Sequence, residues 1–272
     1  MTRVGPDVRD GRRIDRGRPV EPLEHGAPRG GAGTALVPSG SRASTSVIHA
    51  YLRSQILSGE LAAGSELSQA RVAKECGVSR GPVREAFRLL EREGLIEAEV
   101  NQRARVTGLS VDDVEHVYAL RVVNEALALT VSVPRFTADD LNEMDALVAA
   151  VGRSQAQGFG AWEEQHQRLH MLLVSHAGDR MLGSLSQWAE HTERYRRVYM
   201  SDESGGWAQG ALEHAELAHL CRERDVRGAA GLLARHLSRA ALTLVASMDP
   251  AHDPALLRSA VRQVASAGDD DG

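Results

Sequence analysis

Two sets of residues in this sequence have types and spacings that could do chemistry. In "GVSRGPVREAFRLLEREGL", Gly77 to Leu95, arginines recur at every fourth position: Arg80, Arg84, Arg88 and Arg92. Guanidinium groups on one helical side can pair with phosphate oxygens or, bidentately, with a guanine edge. In "EEQHQRLH" His166 and His170 stand four apart, neighbours on one side of a helix. Two imidazoles so placed can chelate a divalent cation, with the remaining ligands drawn from other helices. His214 ("ALEHAELAH") and His236 ("LLARHLSRA") lie on later helical stretches among small apolar residues. Each set has a plainer alternative: a solvated arginine face, and histidines that are exposed or hydrogen-bonded.

The elements around the arginines decide which of them can reach a partner. "SVIHAYLRSQILSGEL" places Val47, Ile48, Tyr51, Leu52, Ile56 and Leu57 at the spacing of a one-sided helix, ended by Gly59. "LSQARVAKECGV" follows, with Ser68 as N-cap, Val72, Ala73 and Cys76 inward and Gly77 at a left-handed turn. Ser79 caps the next helix, Gly81 and Pro82 fall in its first turn, and Gly94 stops it, with Phe87, Leu89 and Leu90 toward the core. Two β-like runs, Leu95–Glu99 and Arg103–Thr107, flank a polar tip at Asn101–Gln102. Helix, helix, tight turn, helix and hairpin is the order of a winged helix-turn-helix, whose second turn helix enters the major groove. Arg80 and Arg84 then reach base edges, while Ser79 and the helix-start amides suit phosphate oxygens. Arg88 and Arg92 fall to backbone contact or to pairing with Glu85 and Glu91.

The chain has 272 residues, 42% of them hydrophobic, enough for two modest domains. A net charge of −5 excludes a protein coated in positive charge, but not one basic face on one domain. The two cysteines, Cys76 and Cys221, have no spacing that suggests a metal clip, and a reduced cytoplasmic compartment is the simplest expectation. No apolar run approaches the roughly 20 residues of a membrane span, so no membrane partner is expected. Residues 1–43, rich in Arg, Gly and Pro with few large apolar residues, are expected to form a disordered tail rather than a secretory signal. Residues 44–108 form the winged block and residues 249–272 a C-terminal tail. Between them, from Ser110 to about 248, the pattern is amphipathic helix throughout. It begins with a long helix carrying Val114, Val117, Leu120 and Leu127 on one side. Further helices follow over about 137–157, 161–177, 179–200, 207–224 and 226–247. The expected fold is mainly α: an N-terminal winged helix-turn-helix plus a C-terminal all-α antiparallel helical bundle.

The first block resembles the DNA-binding domain of GntR-family bacterial transcription regulators. The resemblance rests on Ile56, Gly59, Leu61, Gly64 and Leu67, then Val72-Ala73, and then the run "GVSRGPVREA", Gly77 to Ala86. Two positions depart from the family pattern. The arginine that precedes the "LA" helix and touches DNA is displaced by one position, to Arg71, and Arg103 stands at the wing tip in place of a glycine. The order of acidic residues and histidines in the second block is similar to the FCD effector domain of the FadR subgroup, in which an Asp and three His hold a metal. That resemblance implies His170, His214 and His236 as ligands, with Glu213 and Asp225 fitting the surrounding pattern. His166 stands in place of the usual Asp. A fourth imidazole favours Zn²⁺ or Ni²⁺ over Mn²⁺. Such a metal would attract a small carboxylate, for which Arg121 is the counter-charge, unless it forms a structural pair with Glu125.

The implied function is a regulator that binds a double-stranded operator with an inverted repeat, acts as a homodimer and answers to a small-molecule effector. A metal-dependent enzyme on a helical bundle, with an accessory DNA-binding module, is the alternative; no clear general base accompanies the histidines, Glu163 and Glu164 being the nearest in sequence.

Overall fold

The computed structural model describes residues 44–99, 103–201 and 206–266; the tail expected over residues 1–43 and the wing tip at Asn101–Gln102 lie outside them. The N-terminal block is built from α1 (Thr45–Leu57), β1 (Glu66–Ser68), α2 (Gln69–Glu75), α3 (Arg80–Arg92), β2 (Ile96–Glu99) and β3 (Arg103–Val106). Ile48, Leu52, Leu67, Val83, Phe87, Leu90, Leu95 and Val106 form its core. Each such side chain fully removed from water contributes on the order of 1.5–3 kcal/mol. Leu89, expected inward beside Phe87 and Leu90, is only half-buried. Gly77 adopts φ +64° between α2 and α3, a left-handed geometry that a β-carbon would strain.

The expected hairpin of β2 and β3 is present, and β1 adds a third strand on its other side, giving the antiparallel order β1-β3-β2. Three residues are too short a run for alternation to declare a strand. Ser68 also has two roles: its backbone ends β1, and its hydroxyl accepts the Arg71 amide at 3.4 Å to start α2.

The second block is a bundle of α4 (Val111–Ser132), α5 (Ala138–Ser154), α6 (Phe159–Leu173), α7 (Asp179–His191), α8 (Glu193–Ser201), α9 (Gly206–Arg222), α10 (Val226–Met248) and α11 (Ala255–Ser266). α4 is its spine, packed on α10 and α11. Ser110 caps α4 through the Asp113 amide, and Asp112 and Asp113 complement the helix dipole in its first turn.

Four expectations are corrected here. Leu120 and Leu127 are 47% and 52% exposed: at roughly 100° per residue they fall opposite the buried stripe through Val114, Tyr118, Val122, Glu125 and Leu129. The helix expected over 179–200 is two helices, because the Thr192 hydroxyl bonds back to the Trp188 and Ala189 carbonyls at the break. Residues 249–272 are not simply a tail. α11 buries Leu257 and Ala260, and its first amides, at Leu256 and Leu257, donate to the Glu115 carboxylate of α4 at 2.7 and 3.2 Å. Finally, Val111–Arg135 does have the length of a membrane span and contains an 18-residue stretch of mean hydropathy 1.2; 61% of that stretch is buried inside the bundle.

The blocks meet at the α7–α8 corner. Arg53 of α1 pairs with Glu93 at 3.0 Å and with Glu190 of α7 at 2.5 Å. Arg194 donates to the Thr107 carbonyl at 3.2 Å, and the Ser110 amide donates to the Tyr195 hydroxyl at 3.4 Å.

Candidate metal centre and DNA-reading face

α3 buries Val83, Ala86, Phe87 and Leu90, at the steps of three and four that line one side of a helix. Its other side therefore faces solvent: Ser79, Arg80, Gly81 and Arg84 are exposed and Pro82 is half-buried. Ser79 holds the extended N-cap backbone without a side-chain capping bond, so its hydroxyl is not used within the helix start. Arg88 pairs with Glu85 at 3.3 Å, as expected of an arginine further along the helix. Arg71 pairs with Glu75 at 3.7 Å and Arg103 with Glu66 at 3.4 Å, all with exposed side chains. Such exposed pairs are worth about 0–1 kcal/mol, so phosphates can displace them. An exposed helix start with basic residues at its flanks results.

In the bundle, His166 and His170 of α6, His214 of α9 and His236 of α10 are all buried, and one ring nitrogen from each lies within 4.8 Å of the others. Trp162 stacks on His166 with centroids 4.3 Å apart and is itself met edge-on by Trp207 at 4.9 Å. Both ring nitrogens of His170 and of His214, and Nδ1 of His166, have no hydrogen-bond partner among the described residues. Leaving buried polar atoms unpaired costs about 1–3 kcal/mol each, so converging unpaired nitrogens fit a cation that would satisfy them. Burial holds His166 and His214 well below the usual imidazole range, with neighbouring histidines adding to the effect. Burial also lowers His170, to about 4, against the opposing pull of Glu125. Neutral imidazole is the form that ligates.

Arg121 is 1% exposed and forms the structural pair that was one of its two expected roles. Its Nε donates to Glu125 at 2.6 Å, and it also lines the cavity beside the histidines. Its Nη1 donates to the Thr192 hydroxyl at 2.7 Å, which also receives Arg196 Nη1 at 2.6 Å. Burial would raise the Glu125 carboxyl, but the Arg121 charge, with help from His170, holds it at about 2. Tyr118, Arg196, Arg239 and Trp207 also line the cavity, and no sequence spacing pointed to them because each comes from a different turn or helix. Tyr118, also on the cavity wall, has a buried hydroxyl without a hydrogen-bond partner among the described residues. The free space is about 40 Å³, room for roughly two or three waters. Asp225, by contrast, caps α10 by accepting the Gly228 amide at 2.9 Å.

Comparison with known proteins agrees with both halves. Residues 44–106 match the family of bacterial regulatory proteins of the gntR family, and residues 116–239 match the FCD domain. The chain is 28% identical over 149 residues to the HTH-type transcriptional regulator YdhC of Bacillus subtilis (strain 168), covering 54% of this chain and 66% of that protein. It is 41% identical over 86 residues to the gluconate operon transcriptional repressor of Bacillus licheniformis, covering 31% of this chain and 35% of that one. The chain thus spans less than two thirds of the length of either relative. E. coli McbR/YncC shares the fold, with a TM-score of 0.64 at 17% identity over 75% of this chain and 97% of that one. With the two domain matches lying one after the other along the chain, the chain belongs to the GntR family of bacterial regulatory proteins, with a C-terminal FCD domain.

Proposed function

We propose that operator binding by this regulator is controlled by a small carboxylate bound beside a divalent cation in the bundle, and that it works in the cytoplasm as a homodimer. The observation that carries the metal and effector reading is the convergence of His166, His170, His214 and His236 on one point beside an arginine-lined cavity. These residues would hold the cation, with Zn²⁺ or Ni²⁺ preferred over Mn²⁺ by an all-imidazole set. Bound there, it supplies positive charge and open coordination positions. Imidazole ligates as the uncharged form and the Arg121–Glu125, Arg196–Glu163 and Arg239–Glu213 pairs cancel, so a divalent cation held there would leave buried positive charge that an anion would offset. Each carboxylate near the cluster is held by an arginine, which suits a binding site better than a general base.

The α7–α8 corner supplies a route to DNA. An anion that draws Arg121 or Arg196 toward itself takes a donor from Thr192. Glu190 and Arg194, on either side of Thr192, hold Arg53 and Thr107 of the reading block. A shift of the corner therefore changes the placement of the reading head, with a coupling of ~1–3 kcal/mol. For the dimer, the exposed Leu120, Leu127 and Val131 form an apolar stripe on α4, a face suited to a second copy. Paired heads would match an operator's two-fold symmetry.

The test is fluorescence anisotropy on an inverted-repeat duplex from the DNA flanking the gene. Protein is Zn²⁺-loaded or chelator-treated and titrated with small carboxylates. A 5–150-fold change in affinity with at least one acid is expected. Affinity indifferent to both metal and acids removes the effector reading and leaves a bare operator-binding protein.

A further inference from the structure

The clustered histidines differ in what stands behind them. His236 Nδ1 lies 2.7 Å from Glu213, His170 Nδ1 3.5 Å from Glu125, and His166 Nδ1 3.9 Å from Glu163. His214 has no such carboxylate among the described residues, and both its nitrogens are unpaired. Each of the three carboxylates is in turn held by one arginine: Glu213 by Arg239 Nη1 at 2.9 Å, Glu125 by Arg121 Nε at 2.6 Å, and Glu163 by Arg196 Nε at 3.0 Å. The same Arg–Glu–His order is thus built three times, from a different pair of helices each time, and all three arginines line the cavity.

Resting on the metal reading above, we propose that Glu213 is a positioning residue for the cation, fixing the tautomer of His236, while Glu125 and Glu163 stand in the same order behind His170 and His166 without yet bonding them. A neutral imidazole carries one N–H. A carboxylate behind Nδ1 draws that proton, which leaves Nε2 as the ligand atom and makes it more basic. Glu213 already stands at hydrogen-bond distance; Glu125 and Glu163 stand further off, toward their arginines. Because those arginines also face the cavity, an anion there competes with the carboxylates for them. Cation and anion affinities are then linked through the three chains, and not only by direct contact.

The test uses the full chain, with Zn²⁺ affinity measured by competition against a chromophoric chelator and geometry read from the visible spectrum of the Co²⁺ form. Glu213→Ala should weaken Zn²⁺ by about 10–100-fold and alter the Co²⁺ bands. Glu213→Gln, which keeps an acceptor oxygen, should recover most of the affinity. The double variant Glu213→Ala/Arg239→Ala leaves no stranded guanidinium and should lose as much as the single one, which assigns the loss to the carboxylate. Circular dichroism of the metal-free variants checks the fold, and the double variant carries the test if the single one does not fold. Parent and variants with affinities within about two-fold and identical Co²⁺ spectra would overturn the positioning role while leaving the metal site standing. No uptake by the parent would overturn both.

Discussion

The arginines of α3 and the arginines of the bundle are the same side chain used in opposite ways. Arg80 and Arg84 stand exposed on a helix start whose back is sealed by Val83, Phe87 and Leu90. Arg121 and Arg196 are nearly water-free, and each is tied to a carboxylate and to the shared Thr192 hydroxyl. In water a guanidinium is cheap to hold and ready for a new partner. In a core it must be neutralised at once, and its partner then depends on it. The first kind can therefore be altered for binding alone, whereas the second kind carries stability and binding together.

The largest expected effect lies in the core. Arg121→Ala strands Glu125 in the bundle and should cost about 3–5 kcal/mol of unfolding free energy in urea; a loss under about 1 kcal/mol would erase the distinction between the two sets. Next, Arg80→Ala and Arg84→Ala should each cost roughly 1–3 kcal/mol of operator affinity and relax base preference, yet leave unfolding within about 0.5 kcal/mol. If both variants bind the operator like the parent, α3 is not the reading helix.

A smaller effect comes from the joint between the blocks. Burial would raise the Asp113 carboxyl, but the His191 and Tyr195 hydrogen bonds and the Arg194 charge bring it to about 2. A depressed carboxylate contributes stability that is present above its unfolded value near 4 and is lost as pH falls toward 2. The side chain is 39% exposed, so after solvent screening the contribution is about 1 kcal/mol. Asp113→Asn should flatten the stability–pH curve between about pH 4 and 2; an unchanged acid limb would show that the joint is not held by this charge. Smallest of all, Arg88→Ala and Arg103→Ala should each lower the salt slope of DNA binding by about one if they meet phosphates, with sequence preference kept.

α3 was legible because its signals are local. Gly77, Ser79, Pro82 and Gly94 each act within a turn of where they stand, and the i, i+3, i+4 spacing separates the buried from the wet side without reference to the rest of the chain. The same locality misled for Leu120 and Leu127, where apolar type was taken for burial although helix rotation carries both away from the core. α11 had a local signal that went unused: Asp253-Pro254 ahead of Leu257, Ala260, Val261 and Val264 is a helix start followed by one apolar side.

Spacing alone determined a winged helix-turn-helix block, a helical bundle and one adjacent pair of histidines, because caps, turns and periodicity are properties of neighbouring residues. Only the packing of α4, α6, α9 and α10 decided that His214 and His236 join that pair, and that Arg121, Arg196 and Arg239 surround it. Residues tens of positions apart meet through burial of their helices' apolar sides, and no short window of sequence records which sides will face one another.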